Sequence, residues 1–110
     1  MRLPHADQAF IDLAKLREYS LSTTHPEGKH KARVFSAALG LESGDAEWLR
    51  EQLLVAVLRE DCQLGRLTEL GQRYSVDLTL RHGTREARIR SAWIIRADEK
   101  FPRLVSCYVL

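Results

Sequence analysis

The chain has 110 residues, 45% of them hydrophobic and 29% charged, which suits one domain with a single core and leaves no room for a second. Its 17 Lys and Arg against 15 Asp and Glu give a formal net charge of +2, too even for a DNA-coating protein or a polybasic membrane binder. No apolar run approaches the ~20 residues needed to cross a bilayer. The start Met1-Arg2-Leu3-Pro4-His5-Ala6-Asp7 lacks the apolar stretch of a secretory signal, so the chain reads as cytoplasmic with no membrane partner.

Apolar residues Ala9, Phe10, Leu13, Ala14 and Leu16 recur at helical spacing after Asp7, which predicts a first helix over roughly Asp7 to Tyr19 with Asp7 as its cap. Ser20 to Gly28 is turn-rich, and Pro26 pushes His25 away from helical geometry. A second helix follows from near Lys29 to Leu39, with Gly40 suited to a C-terminal cap. Ser43 or Asp45 can cap a third, in which Trp48, Leu49, Leu53, Ala56 and Val57 form one stripe. From Cys62 the period shifts to two. A weaker strand, Cys62 to Leu70, precedes one in which Gln72, Tyr74, Val76, Leu78 and Leu80 alternate with polar neighbours up to a turn at Arg81 to Thr84. The next strand, Ala87 to Ile95, sets Ile89, Ser91, Trp93 and Ile95 on one face and Arg88, Arg90, Ala92 and Ile94 on the other. The last, Arg103 to Leu110, sets Val105, Cys107 and Val109 opposite Leu104, Ser106 and Tyr108. The expected fold is α+β: three N-terminal helices packed on one face of a four-stranded antiparallel meander, one domain over 1–110.

Cys62 and Cys107 are not a CxxC pair and no His stands at metal-ligand spacing from them, so no metal site is indicated and both read as buried, reduced thiols. No P-loop, HExxH or GxSxG motif is present and no cofactor is indicated. The densest reactive cluster is Thr24-His25-Pro26-Glu27-Gly28-Lys29-His30-Lys31-Ala32-Arg33, at the start of the second helix, where backbone amides and the positive dipole end favour an anion. His25 is either a catalytic or ligand-gripping group or a loop-stabilising one. Lys31, one turn before Phe35, is expected at the edge of the buried face with its head in a cleft. Gly28, Lys29 and Arg33 would bind substrate there. Arg88 and Arg90 share a strand face and form a basic stripe for a nucleic-acid backbone, or else a solvated face paired with Asp77 or Glu86. Ser106 and Tyr108 offer hydroxyls on one side of the last strand. His5 and His82 read as merely exposed, and Trp48 and Trp93 as core.

Leu3-Pro4-x-Ala6-Asp7, Lys15-Leu16-x-x-Tyr19-x-Leu21, Thr24-His25-Pro26-x-Gly28-x-x-Lys31-Ala32-x-x-Phe35, Leu39-Gly40, Tyr74-x-Val76-Asp77, Trp93-Ile94-Ile95 and Pro102-Arg103-Leu104-Val105-Ser106-x-Tyr108 together resemble a bacterial domain family of unknown function across essentially the whole chain. Members of that family look like short stand-alone proteins beside a small companion gene, or C-terminal modules of phage and polymorphic-toxin proteins, which implies toxin and antitoxin pairs. The order of helices and then a meander is also similar to the ribonuclease superfamily of barnase, EndoU, colicin nucleases and RelE-type toxins, a likeness of architecture. What this implies is metal-independent RNA cleavage by 2′-hydroxyl attack. His25, Lys31, Ser106 and Tyr108 would share a cleft, with His25 as general acid or base, Lys31 with Arg33 or Arg90 stabilising the phosphorane and Tyr108 orienting the phosphate or stacking on a base. The family more often has Thr where Ser106 stands, which keeps the hydroxyl. The rival reading is a non-catalytic binding module, the antitoxin or immunity half of such a pair, which contacts a basic partner through Asp45, Glu47, Glu51, Glu60 and Asp61. Expected partners are RNA, a companion protein encoded nearby, or a second copy paired through an edge strand.

Overall fold

The computed structural model describes all 110 residues and bears out the expected α+β order, with a first correction at the start. The single helix expected from Asp7 is broken. His5 adopts left-handed backbone (φ 55°), a 3-10 turn covers Ala6–Gln8, and the chain then extends. There the Phe10 amide donates to the Pro102 carbonyl at 2.8 Å and the Leu104 amide to the Phe10 carbonyl at 3.0 Å, so backbone groups that a helix would have used are spent on the sheet edge. Helix α1 begins only at Leu13–Lys15 and continues into a π-helical turn, Leu16–Ser20. Its cap is Asp12, not Asp7: the Asp12 carboxylate accepts from the amides of Ala14 and Lys15 at 3.0 and 3.4 Å.

Helix α2, Lys29–Leu39, ends as expected on Gly40 (φ 69°), whose amide bonds the Phe35 and Ser36 carbonyls. A 3-10 turn at Ser43–Asp45 leads into α3, Ala46–Arg59, and the Asp45 carboxylate accepts the Glu42 amide at 2.9 Å. Four antiparallel strands follow in sequence order: β1 (Cys62–Thr68), β2 (Gly71–His82), β3 (Arg85–Arg96) and β4 (Arg103–Val109). The β2 and β3 strands run further than predicted, into a two-residue turn at Gly83 and Thr84. Gly83 there takes φ 62°, which glycine adopts without strain.

The helices cover one face of this sheet. Val76, Leu78 and Leu80 of β2, Ile89, Ser91 and Trp93 of β3, and Leu104 and Cys107 of β4 are buried beneath Phe35 and Leu39 of α2 and Leu49, Leu53 and Val57 of α3. Each large side chain so buried contributes about 1.5–3 kcal/mol. Ser91 is the polar centre of that core: its hydroxyl donates to the Val76 carbonyl at 2.8 Å and accepts the Trp93 indole N–H at 2.9 Å. The face assignment of β4 differs from the alternation in its sequence. A bulge between its pairings with Ala92 and Trp93 turns Leu104 inward beside Trp93, Cys107 inward beside Ser91, and Ser106 and Tyr108 outward. Trp48 is only half-buried, and its ring packs 4.8 Å from that of His82. His82 in turn is not merely exposed: its Nδ1 is 2.7 Å from the Leu39 carbonyl, tying the β2–β3 turn to the end of α2. Ile89 and Trp93 lie in an inner strand under the helices, and the sheet edges are β1 and β4. Both cysteines are buried and free, and no helix is long and apolar enough to cross a membrane.

Candidate nucleic-acid interface

The loop before α2 is organised by His25. Its Nδ1 accepts the amides of Glu27 and Gly28 at 3.0 and 3.1 Å, and its carbonyl accepts the Lys29 amide at 3.0 Å. Because Nδ1 is the acceptor, the ring proton sits on Nε2, which leaves this histidine one outward donor and no free lone pair. The same bonds occupy the Gly28 and Lys29 amides, two of those that an anion at the helix start would use. The ring also meets Tyr19 edge-on, with centroids 4.6 Å apart. Gly28 is buried, and a Cβ there would stand 2.4 Å from the Tyr19 carbonyl oxygen, so glycine at this position lets the loop close onto α1's continuation. Lys29 is half-buried, and His30, Lys31 and Arg33 are exposed. None of these cations has a carboxylate within 4 Å.

Of the expected site residues, Lys31 and Tyr108 are brought together. The Lys31 ammonium stands 4.8 Å from the centre of the Tyr108 ring. As α2 belongs to the covered face and Tyr108 to the open one, the contact is made around the free edge of β4. Beneath the same edge, burial pushes the Cys107 thiol up to about 12, opposed by a Ser20 hydrogen bond and by the charges of Lys31 and Lys15. Register places Tyr108 beside Arg90, and Arg90 beside Asp77, in one row across β4, β3 and β2. Arg90 grips Asp77 with two bonds of 2.8 and 2.9 Å. That hydrogen bond is the main reason the Asp77 carboxyl is held below its ordinary range and the Arg90 guanidinium above its own, with Tyr108 adding to the latter. Ser106 sits one row along, paired with Ala92.

The sheet face opposite the helices carries no covering element. Register puts Arg73, Arg81, Arg88, Arg90, Arg96 and Arg103 on it with Asp77 and Glu86, so guanidinium groups dominate it. Arg81 is paired with Glu86 at 2.7 Å, while Arg88 bonds only the Thr79 hydroxyl, at 3.0 Å. Of the two partners expected for the stripe, Asp77 holds Arg90, whereas Glu86 pairs with Arg81 and leaves Arg88 available.

The recesses lie elsewhere. None of the molecule's four cavities is lined by His25, Lys31, Ser106 or Tyr108. One of about 540 Å³ opens at the other end of the sheet, over Ile94, between Arg73 and Arg103. Arg103 is fixed by Glu99 at 2.7 Å and lies over the rings of Phe10 and Phe101 at 4.8 and 5.3 Å. These residues escaped the sequence reading because only strand register and the Phe10 bridge bring positions 10, 73, 94 and 103 together.

No curated protein matches the chain. Residues 2–110 match the family described as "Domain of unknown function (DUF6883)", and the chain belongs to that family.

Proposed function

We propose that this protein acts on RNA: the open sheet face takes the sugar–phosphate backbone, and the edge where Lys31 meets Tyr108 is where the strand is cleaved, without a metal. The observation that carries the reading is the Lys31–Tyr108 contact, which sets an unpaired ammonium against a phenol beside a face rich in guanidinium groups. In the step, the 2′-hydroxyl attacks the adjacent phosphorus as its proton passes to solvent, and the bond to the 5′-oxygen breaks. A 2′,3′-cyclic phosphate and a 5′-hydroxyl result. Lys31 stabilises the charge that gathers on the phosphorane oxygens and supplies the proton to the departing oxygen. The Tyr108 hydroxyl orients the phosphate, and Arg90, locked by Asp77, offers a fixed positive wall. In this reading His25 takes a part other than general acid or base. With Nδ1 spent on two amides the ring is a hydrogen-bond donor through Nε2 and an organiser of the loop, not the base. Arg88 and the exposed Arg33 extend the backbone contacts.

In a bacterial cell such a domain would be the toxin of a toxin–antitoxin or conflict system, restrained by a small companion protein. Induction of the chain alone tests this: growth arrest that a His25→Ala, Lys31→Ala double variant abolishes supports it, and unimpaired growth with the wild type contradicts it. The binding-module reading is favoured by a different observation. Glu47, Glu51, Glu60 and Asp61 are exposed along α3 and the link to β1, near the exposed Val55 and Leu58. That surface fits a partner combining basic and apolar groups. A harmless chain that co-purifies with its neighbour's product would select this second reading.

A further inference from the structure

From the groove over Ile94 we infer a binding site for one nucleotide, with preference for a base that carries an exocyclic amino group. This rests on the RNA reading only for the source of the nucleotide. Ile94 is buried on the open face although no helix covers it there, flanked in register by Arg73 on β2 and Arg103 on β4. The recess above it, about 540 Å³, lies within the size range of small-ligand sites. Its apolar lining includes the buried Ile94, the half-buried Val105 and the exposed Leu70.

Four cations, Lys15, Arg73, Arg96 and Arg103, stand around that lining. They are not equivalent. Arg103 is committed to Glu99 and to the Phe10 and Phe101 rings, and forms a rigid wall. Arg96 is held to Glu99 only loosely, at 3.9 Å. Arg73 is half-buried with no carboxylate partner, and Lys15 has none either. A guanidinium partly withdrawn from water and left unpaired is a receptor for an anion that also supplies hydrogen-bond acceptors, which a phosphate does bidentately. An apolar lining beside it suits the flat face of a base, and guanidinium planes stack on bases as well.

Two carboxylates, Glu69 from the β1–β2 turn and Asp98 from the β3–β4 turn, complete the rim. They would repel a bare anion placed among them. Against a base edge they accept from an amino group, as carboxylates do from the N4 amino group of cytosine. The groove therefore takes phosphate at Arg73 and Lys15, stacks the base on Ile94, and favours cytidine over uridine nucleotides.

Amide chemical-shift titration of the folded chain with cytidine 5′-monophosphate, uridine 5′-monophosphate, cytidine and inorganic phosphate tests this. The expected result is saturable shifts at Arg73, Ile94 and Val105 with the cytidine nucleotide, weaker by about tenfold in Arg73→Gln. Uridine nucleotide, nucleoside and phosphate should each bind several-fold less well. No shifts in the groove up to about 10 mM would overturn the site, given the affinity a ligand of this size can reach. Phosphate binding as well as the nucleotide would reduce it to an anion site and overturn the base pocket. A single-stranded RNA oligomer separates this inference from the reading it rests on. Shifts at Arg88 and Tyr108 without the groove leave RNA binding intact and remove the nucleotide site. Nucleotide binding in the groove without RNA binding does the reverse.

Discussion

The Lys31 ammonium lies 4.8 Å from the centre of the Tyr108 ring, joining a helix that covers one side of the sheet to a residue that faces the other. Lys31 is exposed and Tyr108 half-buried, so each can be altered without opening the core. Lys31→Met keeps the aliphatic stem and removes the charge. The expected outcome is an unchanged melting temperature, within the small effect of an exposed cation–π contact (about 0.5–1 kcal/mol), and loss of RNA cleavage by 10²-fold or more, about the scale of one stabilising charge. Thermal unfolding beside a cleavage assay checks both.

His25 should behave as a structural acceptor first. His25→Ala removes the acceptor for the Glu27 and Gly28 amides and should cost about 1 kcal/mol, the usual scale of a lost cap. His25→Asn, which can supply an oxygen to the same amides, should recover most of that stability. If cleavage follows stability through this pair, the ring is an organiser; cleavage lost equally in both variants would give it the chemical part denied above.

The Ser91 hydroxyl joins Val76 to Trp93 inside the core. Ser91→Ala leaves the indole N–H and the Val76 carbonyl without this partner at a fully buried position, and should destabilise by about 1–3 kcal/mol. A denaturant midpoint that does not move would contradict the burial described.

Asp77 is held below its ordinary carboxyl range by the Arg90 hydrogen bond, so it ionises more readily in the folded chain than in the unfolded one. Its contribution is present above the unfolded value of about 3.9 and fades as pH falls through the lower folded value. With a pair that is partly solvent-exposed, 37% at Arg90 and 25% at Asp77, the effect is about 0.5–1 kcal/mol. Asp77→Asn should therefore be less stable than wild type at pH 7, and the difference should shrink below about pH 4. Chemical denaturation at the two pH values measures it.

The fold was largely legible because its strongest signals are periodic. Alternation in Tyr74 to Leu80 and in Ile89 to Trp93 marks faces that the helices cover, and Gly40 ends α2 as glycine should. Two features were hidden for physical reasons. Phe10 and its neighbours follow helical spacing, yet their backbone bonds go to Pro102 and Leu104, a tertiary choice that overrides local propensity. Leu104, Ser106 and Tyr108 alternate in sequence, yet the β4 bulge sends Leu104 inward and the other two outward. At the candidate site the residue types of the His25 cluster were visible, whereas the direction of its hydrogen bonds was not. The groove at Arg73, Ile94 and Arg103 left no local signature, since register alone assembles it.

The most direct measurement is incubation of the purified chain with an end-labelled single-stranded RNA in excess chelator, followed by analysis of the product ends. RNA cleavage at the Lys31–Tyr108 edge predicts fragments ending in 2′,3′-cyclic phosphate from the wild type, strongly reduced by Lys31→Met and by Tyr108→Phe in folded protein. Intact RNA with the wild type, or cleavage that both variants retain in full, would contradict it.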